Sequence, residues 1–263
     1  MSSRRIIRSR RFASGLVGPS PVWWANFEAS NVTKTTTISQ TNNLGSLGSA
    51  EALTQGTALR QPLWTDNGAP SGTMDIADFD PDGVNLKSMT RTPTSAYFGL
   101  NGYTVFLVFN RVSSTGQWTL FTHNNGSLRG GWALQVTPGA AGRSFQARTS
   151  AGTVKSITFG TYTLNTWEIW TIKNWGGGSD DVASDAYFKT RVNGTEVAWA
   201  VLSGGPWFWI PTGSFATSLN TSTITAGNRT LYGDARAYDR VLSDVECLTI
   251  ERQLGALYGI TVA

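Results

Sequence analysis

Tyr232-Gly-Asp-Ala-Arg-Ala-Tyr-Asp-Arg-Val-Leu-Ser-Asp-Val-Glu246 decides the fold, together with the run that follows it to Leu257-Tyr-Gly-Ile260. Leu231 to Tyr238 reads as a strand ending in a tight turn, and a capped helix then closes the chain. Ser243 is the N-cap, and Glu246, three residues on, completes a capping box. Leu242 before the cap and Cys247 after it form a hydrophobic staple. Cys247, Ile250, Leu254 and Leu257 fall on one face at helical spacing, and Gly259 supplies the stop. No Lys, Arg or His lies one turn from Cys247 to lower its pKa, so it reads as a small core hydrophobe rather than a reactive thiol.

The positions Tyr238, Arg240, Leu242, Ser243, Glu246 and Tyr258-Gly-Ile260 resemble the C-terminal end of concanavalin A-like (laminin-G-like) β-sandwich domains, of the type found in phage virion proteins. Asp234 stands where that family usually has Glu, and Leu257 where it has Lys. Asn165-Thr-Trp-Glu-Ile-Trp-Thr-Ile172 resembles the family's Asn-x-Trp strand, the Asn193-Gly194 hairpin resembles its Val-Asn-Gly turn, and Glu28-Ala-Ser30 resembles a variant of its early Asp-Ala-Ser. The resemblance covers about residues 97–260, touches 22–96 loosely, and leaves the first residues unmatched. It implies an all-β chain: a concanavalin A-like jelly-roll β-sandwich with an extended N-terminal arm and a short C-terminal helix. It does not imply a function, because this fold hosts lectins, glycanases and inert structural parts.

The strand pattern agrees with that expectation. Tyr103-Thr-Val-Phe-Leu-Val-Phe109 is apolar on both faces, as an inner strand between layers would be. Gln117–Thr122 and Gly131–Thr137 alternate, and Arg143–Thr149 and Thr153–Phe159 straddle a turn at Ser150–Gly152. Ala186–Val192 and Thr195–Leu202 flank Asn193-Gly194, which supplies the two φ > 0 residues of a type I′ hairpin. Thr223–Ala226 and Leu231–Tyr238 are expected to close the sheets. Trp23–Gln61 reads as a first strand followed by irregular Thr/Asn/Gly-rich loops. Two parts result: an arm, 1–22, and a single sandwich domain, 23–263.

Composition narrows the classes. The 263 residues carry 40% hydrophobic and only 14% charged residues, with eleven tryptophans, as suits a strand-rich body with polar turns. No apolar run approaches the roughly 18 residues of a membrane span. The net charge is +4, but Arg4, Arg5, Arg8, Arg10 and Arg11 supply five of the 21 Lys+Arg, leaving 16 against 17 Asp+Glu. The body is therefore near neutral and the arm cationic. One cysteine excludes an internal disulfide framework, and one histidine, His123, excludes a multi-His metal site. The basic N-terminus lacks the apolar segment of a secretory signal.

Glycan hydrolysis on this fold needs paired carboxylates on one strand, about 5–5.5 Å apart for retention. The six glutamates (Glu28, Glu51, Glu168, Glu196, Glu246 and Glu251) form no such pair. Glu168 alone lies in a Trp-rich strand, and without a partner carboxylate it reads as a solvated residue beside a Lys or Arg. No Gly-x-Ser-x-Gly elbow accompanies His123. No enzyme is expected.

Binding features are more numerous. Asp78, Asp80 and Asp82, followed by Gly83, follow a calcium-loop pattern, but Met89 stands where such a loop needs Glu, so the competing reading is an exposed acidic turn. Trp207, Phe208 and Trp209 sit between prolines 206 and 211, and three readings stay open: a sugar-stacking platform joined by Trp170, a protein-binding anchor, or a core-lining segment. Trp23 and Trp24 share that ambiguity where arm meets body. Arg4, Arg5, Ile6, Ile7, Arg8, Arg10 and Arg11 suit an anchor in an acidic groove of a partner, with phosphate neutralisation on nucleic acid and a solubilising tail as the competing readings. A body without a basic stripe argues against a dedicated nucleic-acid reader.

Together these features lead to the expectation of a non-enzymatic phage virion protein, a capsid decoration or tail-associated subunit, made in the host cytoplasm without a secretion signal and held on the particle surface. Its expected partners are the major capsid protein or other virion proteins, further copies of itself, and host surface glycans; no cofactor is expected beyond calcium at Asp78–Asp82. The competing class is a carbohydrate-binding module.

Overall fold

The computed structural model describes residues 18–47, 51–79, 87–91, 102–113, 118–124, 132–136, 142–148, 154–175, 188–203, 216–221 and 229–263. Two antiparallel sheets face each other, and one helix lies on the outside of the first, so the chain is an all-β sandwich with a C-terminal helix. Among the described residues the first sheet runs, edge to edge, β15 (Thr195–Val197), β14 (Phe188–Val192), β13 (Trp167–Asn174), β8 (Tyr103–Arg111), β18 (Thr230–Tyr238), β6 (Ile76–Phe79) and β5 (Leu63–Thr65), with β1 (Trp23–Asn26) also on β18. The second runs β16 (Ala200–Ser203), β12 (Val154–Thr161), β11 (Gly142–Arg148), β10 (Trp132–Val136), β9 (Trp118–Asn124), β17 (Ala216–Thr221), β7 (Met89–Arg91), β4 (Leu53–Thr54), β3 (Ile38–Thr41) and β2 (Val32–Lys34).

β8 is buried along its whole length, because both of its faces are covered. Val105, Leu107 and Phe109 point into the space between the sheets, where they meet Trp23, Phe121, Phe145, Trp170 and Tyr232. Phe106 and Val108 point the other way, into a second cluster under the helix. The period of two in a strand makes this division automatic once both sets are apolar.

The helix, α1 (Asp244–Tyr258), starts as the sequence indicates. Ser243 accepts from the Glu246 N–H at 3.2 Å, and the Glu246 carboxylate accepts from the Ser243 N–H at 2.8 Å. Leu242, Cys247, Ile250, Leu254 and Tyr258 are buried against Phe106, Val108, Ile169 and Tyr238. Gly259 ends the helix at φ 74°, the left-handed region that favours glycine. Burial pushes the Cys247 thiol up to about 12, as befits a packing residue.

A bulge in β18 between Tyr232 and Asp234 separates two pairings on the same edge. Residues 230–232 pair with β6, and residues 234–237 pair with β1. Gly233 at the bulge leaves room for the Tyr258 ring, whose hydroxyl donates to the Gly233 carbonyl at 2.7 Å. The end of the helix is thus pinned over the irregularity.

Two expectations change. The hairpin at Asn193 (φ 48°) and Gly194 (φ 85°) forms, but its second arm is shorter than Thr195–Leu202. Only Thr195–Val197 pairs with β14; the chain then crosses to the other sheet, where Ala200–Ser203 pairs with β12. Trp199 packs on the core at the crossing, edge-on to Phe188. The stretch read as irregular after the first strand contains β2, β3 and β4, which extend the second sheet. These strands of two to four residues are too short to show a period. Thr223–Ala226 lies outside the described residues, as does most of the arm.

Candidate functional site

Glu168 does not sit in solvent. It is buried inside the sandwich, where Arg143 of β11 donates Nε and Nη2 to its two oxygens at 2.9 and 2.5 Å, and the Trp170 indole N–H donates at 2.6 Å. Its location on β13 turns it inward with Trp170, so the facing sheet had to supply a cation. A carboxylate bound bidentately and buried among aromatics has no free oxygen to relay a proton.

The same arrangement recurs. Glu51 pairs with Arg91, and Glu251 accepts from Arg191 at 3.0 Å and from the Thr171 hydroxyl at 2.6 Å. Glu196 pairs with Lys189 at 3.0 Å and Glu246 with Arg240 at 2.6 Å, while Glu28 accepts the Asp75 N–H at 3.1 Å. All six glutamates of the chain thus have a named partner. Asp244 pairs with Lys173 at 2.6 Å, an interaction that holds its carboxyl below the usual range.

Asp78 is also engaged. Both of its oxygens accept from Arg229, at 2.6 to 3.1 Å, on the outer face of β6. A cation at this residue would have to displace a guanidinium. Asp80 and Asp82 lie outside the described residues, and no group of three or more metal-ligating side chains occurs among the described ones.

The tryptophans sort by burial. Trp170 is 0% exposed and edge-on to Phe109 and Phe159, so it is a core residue and offers no face to a sugar. Trp23, 1% exposed, stacks on Phe121 of the opposite sheet at 5.6 Å and donates to the Glu51 carbonyl, so it too is core and cannot touch a partner. Both correct the sequence reading: inward-facing strand positions buried them. Trp207, Phe208 and Trp209, and the basic residues Arg4 to Arg11 with Ile6 and Ile7, lie outside the described residues.

Trp24 is different. Its side chain turns to the outer face of the first sheet, where it meets Asp234 and Arg236 of β18; Trp24 and Arg236 are register partners. The indole N–H donates to Asp234 at 3.0 Å, and Arg236 donates Nε and Nη2 to the same carboxylate at 2.8 and 3.1 Å. The guanidinium lies over the Trp24 ring, 4.5 Å from its centroid. Burial pushes the Asp234 carboxyl up, and the Arg236 charge with the Trp24 N–H pulls it back. Above this group opens a cavity of about 400 Å³, bounded by Pro19, Pro21, Leu44, Tyr238, Ile250 and Gln253. The sequence reading missed it. Its one local signal was Asp234-x-Arg236, two opposite charges on one face of a buried strand.

The wall at residues 43–47 is fixed by backbone pairing. Leu44 N–H donates to Trp24 O at 2.8 Å, Ser46 to Pro21 O and Leu47 to Val22 O, both at 3.1 Å. The Asn43 side chain accepts from the Trp24 N–H at 2.8 Å and the Gly45 N–H at 2.9 Å. A Cβ at Gly45 would run into the Val22 backbone, so the loop lies flat against the first strand.

No protein-family model and no curated protein matches the chain. Solved structures do. The receptor-binding domain of botulinum neurotoxin type G matches at 10% identity with a TM-score of 0.56, over 90% of this chain and 52% of that one. The ligand-binding domain of botulinum neurotoxin serotype D, solved in complex with N-acetylneuraminic acid, matches at 12% identity and a TM-score of 0.56, over 89% and 51%. The receptor-binding domain of the C/D mosaic serotype gives 13% and 0.57, over 89% and 51%. The chain thus spans about half the length of the structures it matches. At these identities the likeness is one of fold: a β-sandwich.

Proposed function

We propose that the protein is a non-catalytic recognition and display subunit: a lectin-like sandwich that presents its loops to surface glycans while its cationic leader fixes it to a phage particle, as a capsid decoration or tail-associated protein. The observation that carries the non-catalytic part is the bookkeeping of carboxylates. Every glutamate, Glu168 included, is held by a cation or a backbone N–H. The recognition part is supported by the likeness to toxin receptor-binding domains, one of them solved with a sialic acid. The mounting part is supported by the charge split between the Arg4–Arg11 run and the near-neutral body.

A glycan array with the full chain tests recognition. The expected result is micromolar binding to a defined set of glycans, lost in Trp209→Ala, with no turnover of any polysaccharide. Turnover that disappears in Glu168→Gln would instead make the protein a hydrolase or lyase. Mounting is tested by co-sedimentation with purified particles. Removing residues 2–11 is expected to abolish association while leaving the sandwich's melting temperature unchanged; undiminished association would discard the anchor.

A further inference from the structure

The cavity over Trp24, Asp234 and Arg236 carries an inference that extends the reading of the leader as a mount. We infer that it is a docking pocket for a bulky, uncharged apolar side chain presented by the protein partner on which the leader is mounted.

Three observations choose this occupant. The first is charge. Arg236 is the charged group bordering the cavity, and its guanidinium is already bound through two N–H groups to Asp234, whose oxygens also take the Trp24 indole. The floor is electrically closed, so a charged ligand would lose hydration and gain no counter-ion there. The second is the aromatic face. The Trp24 ring is covered by Arg236 at 4.5 Å and is not free to stack on a pyranose. The third is the rim. Leu44 is 37% exposed, one of the few large apolar side chains so exposed among the described residues, and Pro19, Pro21 and Ile250 continue that surface inward. At about 400 Å³ the space falls within the roughly 300–1,000 Å³ of ligand-sized pockets. Its lining mixes Pro19, Pro21, Leu44 and Ile250 with Ser20, Ser46, Arg236 and Gln253, and pockets that combine apolar walls with polar groups hold the anchor residues of protein interfaces.

Position in the chain identifies the partner. Gly18, the first described residue, borders the cavity. A fully extended chain spans at most about 3.6 Å per residue, so Arg11 lies within about 25 Å of the cavity and Arg4 within about 50 Å. Any surface that engages the arginines is therefore tethered within that reach of the cavity. The paired backbones of residues 21–24 and 44–47 keep the pocket preformed, so docking needs little ordering.

The experiment is a methyl-detected NMR titration of the full chain with three probes: N-acetyltryptophanamide, methyl α-glucoside and N-acetylneuraminic acid. The expected result is a saturable shift of the Leu44 and Ile250 methyls with N-acetyltryptophanamide alone. That binding should be at least tenfold weaker in Ser46→Trp and in Leu44→Asp, both at the exposed rim, and unchanged in Val245→Ser, an exposed α1 position outside the lining. No saturable shift, a shift produced by either sugar, or undiminished binding in both rim variants would overturn the inference. The outcome is independent of the particle assay. A flat titration removes the pocket even where residues 2–11 prove essential for association, and a saturable one stands even where they do not.

Discussion

The two faces of the first sheet are held by different balances of apolar packing and charge. Between the sheets, β8, β13 and β18 present Leu107, Phe109, Trp170 and Tyr232 to the opposite layer, and rings pack edge-on at centroid separations of about 5 Å, such as 4.8 Å for Phe109 with Trp170. On the outer face β13 carries Thr171 and Lys173, β14 carries Arg191 and β18 carries Asp234 and Arg236, and the helix is tied down partly through charge: Arg191 with Glu251, Lys173 with Asp244. Apolar burial is non-directional and scales with area, so the inner face gives strength. Bidentate charge pairs cost desolvation and give geometry, so the outer face sets where the helix sits. The cavity opens on the outer face, beside a charge pair, where packing is discontinuous.

That comparison can be broken at several points. The largest effect is expected inside. Trp170→Ala should lower unfolding stability by about 3–5 kcal/mol, because it leaves a void among Phe109, Phe159 and Tyr162 and strips Glu168 of a donor. Urea denaturation measures it; a loss below about 1 kcal/mol would mean that the interior is loosely packed.

Outside, Arg191→Met should cost about 3 kcal/mol by stranding the fully buried Glu251, whereas Arg191→Met with Glu251→Met should return to within about 1 kcal/mol of the parent. A double variant as unstable as the single one would show that the pair is itself a main source of stability rather than a device for placing the helix.

The smallest effects lie at the helix start. Ser243→Ala should cost about 1 kcal/mol. Glu246 titrates at about 2 in the folded chain against 4.5 ordinarily, chiefly through Arg240 and then the Ser243 N–H. A depressed carboxylate pKa means stability that is complete above pH 4.5 and drains away as pH falls toward about 2. The melting temperature of the parent should therefore converge with that of Glu246→Gln across this window. Parallel curves would show that the carboxylate charge is not what holds the cap.

Much of the fold was legible in the chain because its signals are local. Ser243 and Glu246 cap a helix by chemistry within four residues, Asn193-Gly194 dictates a turn by its φ angles, and Tyr103–Phe109 is apolar on both sides. The candidate sites were much less legible. Trp23 and Trp170 have the same sequence appearance as surface platforms, and only the layer in front of them decides that they are core. Glu168 reads in sequence as a solvated residue beside a Lys or Arg, but it is buried, and that burial depends on Arg143 arriving from the other sheet.

By itself the sequence determined an all-β body, its central strand, its hairpin, its closing helix and an uneven charge, with five arginines among the first eleven residues. Each follows from spacing and charge along the chain. The tertiary structure alone decided that the hairpin's far arm crosses to the other sheet, that the glutamates are all held, and that Pro19, Pro21, Trp24, Leu44 and α1 enclose a pocket over Arg236. Those outcomes depend on which distant segments meet, and in an antiparallel sandwich the partners of a strand are set by the closing of two layers, not by its neighbours in sequence.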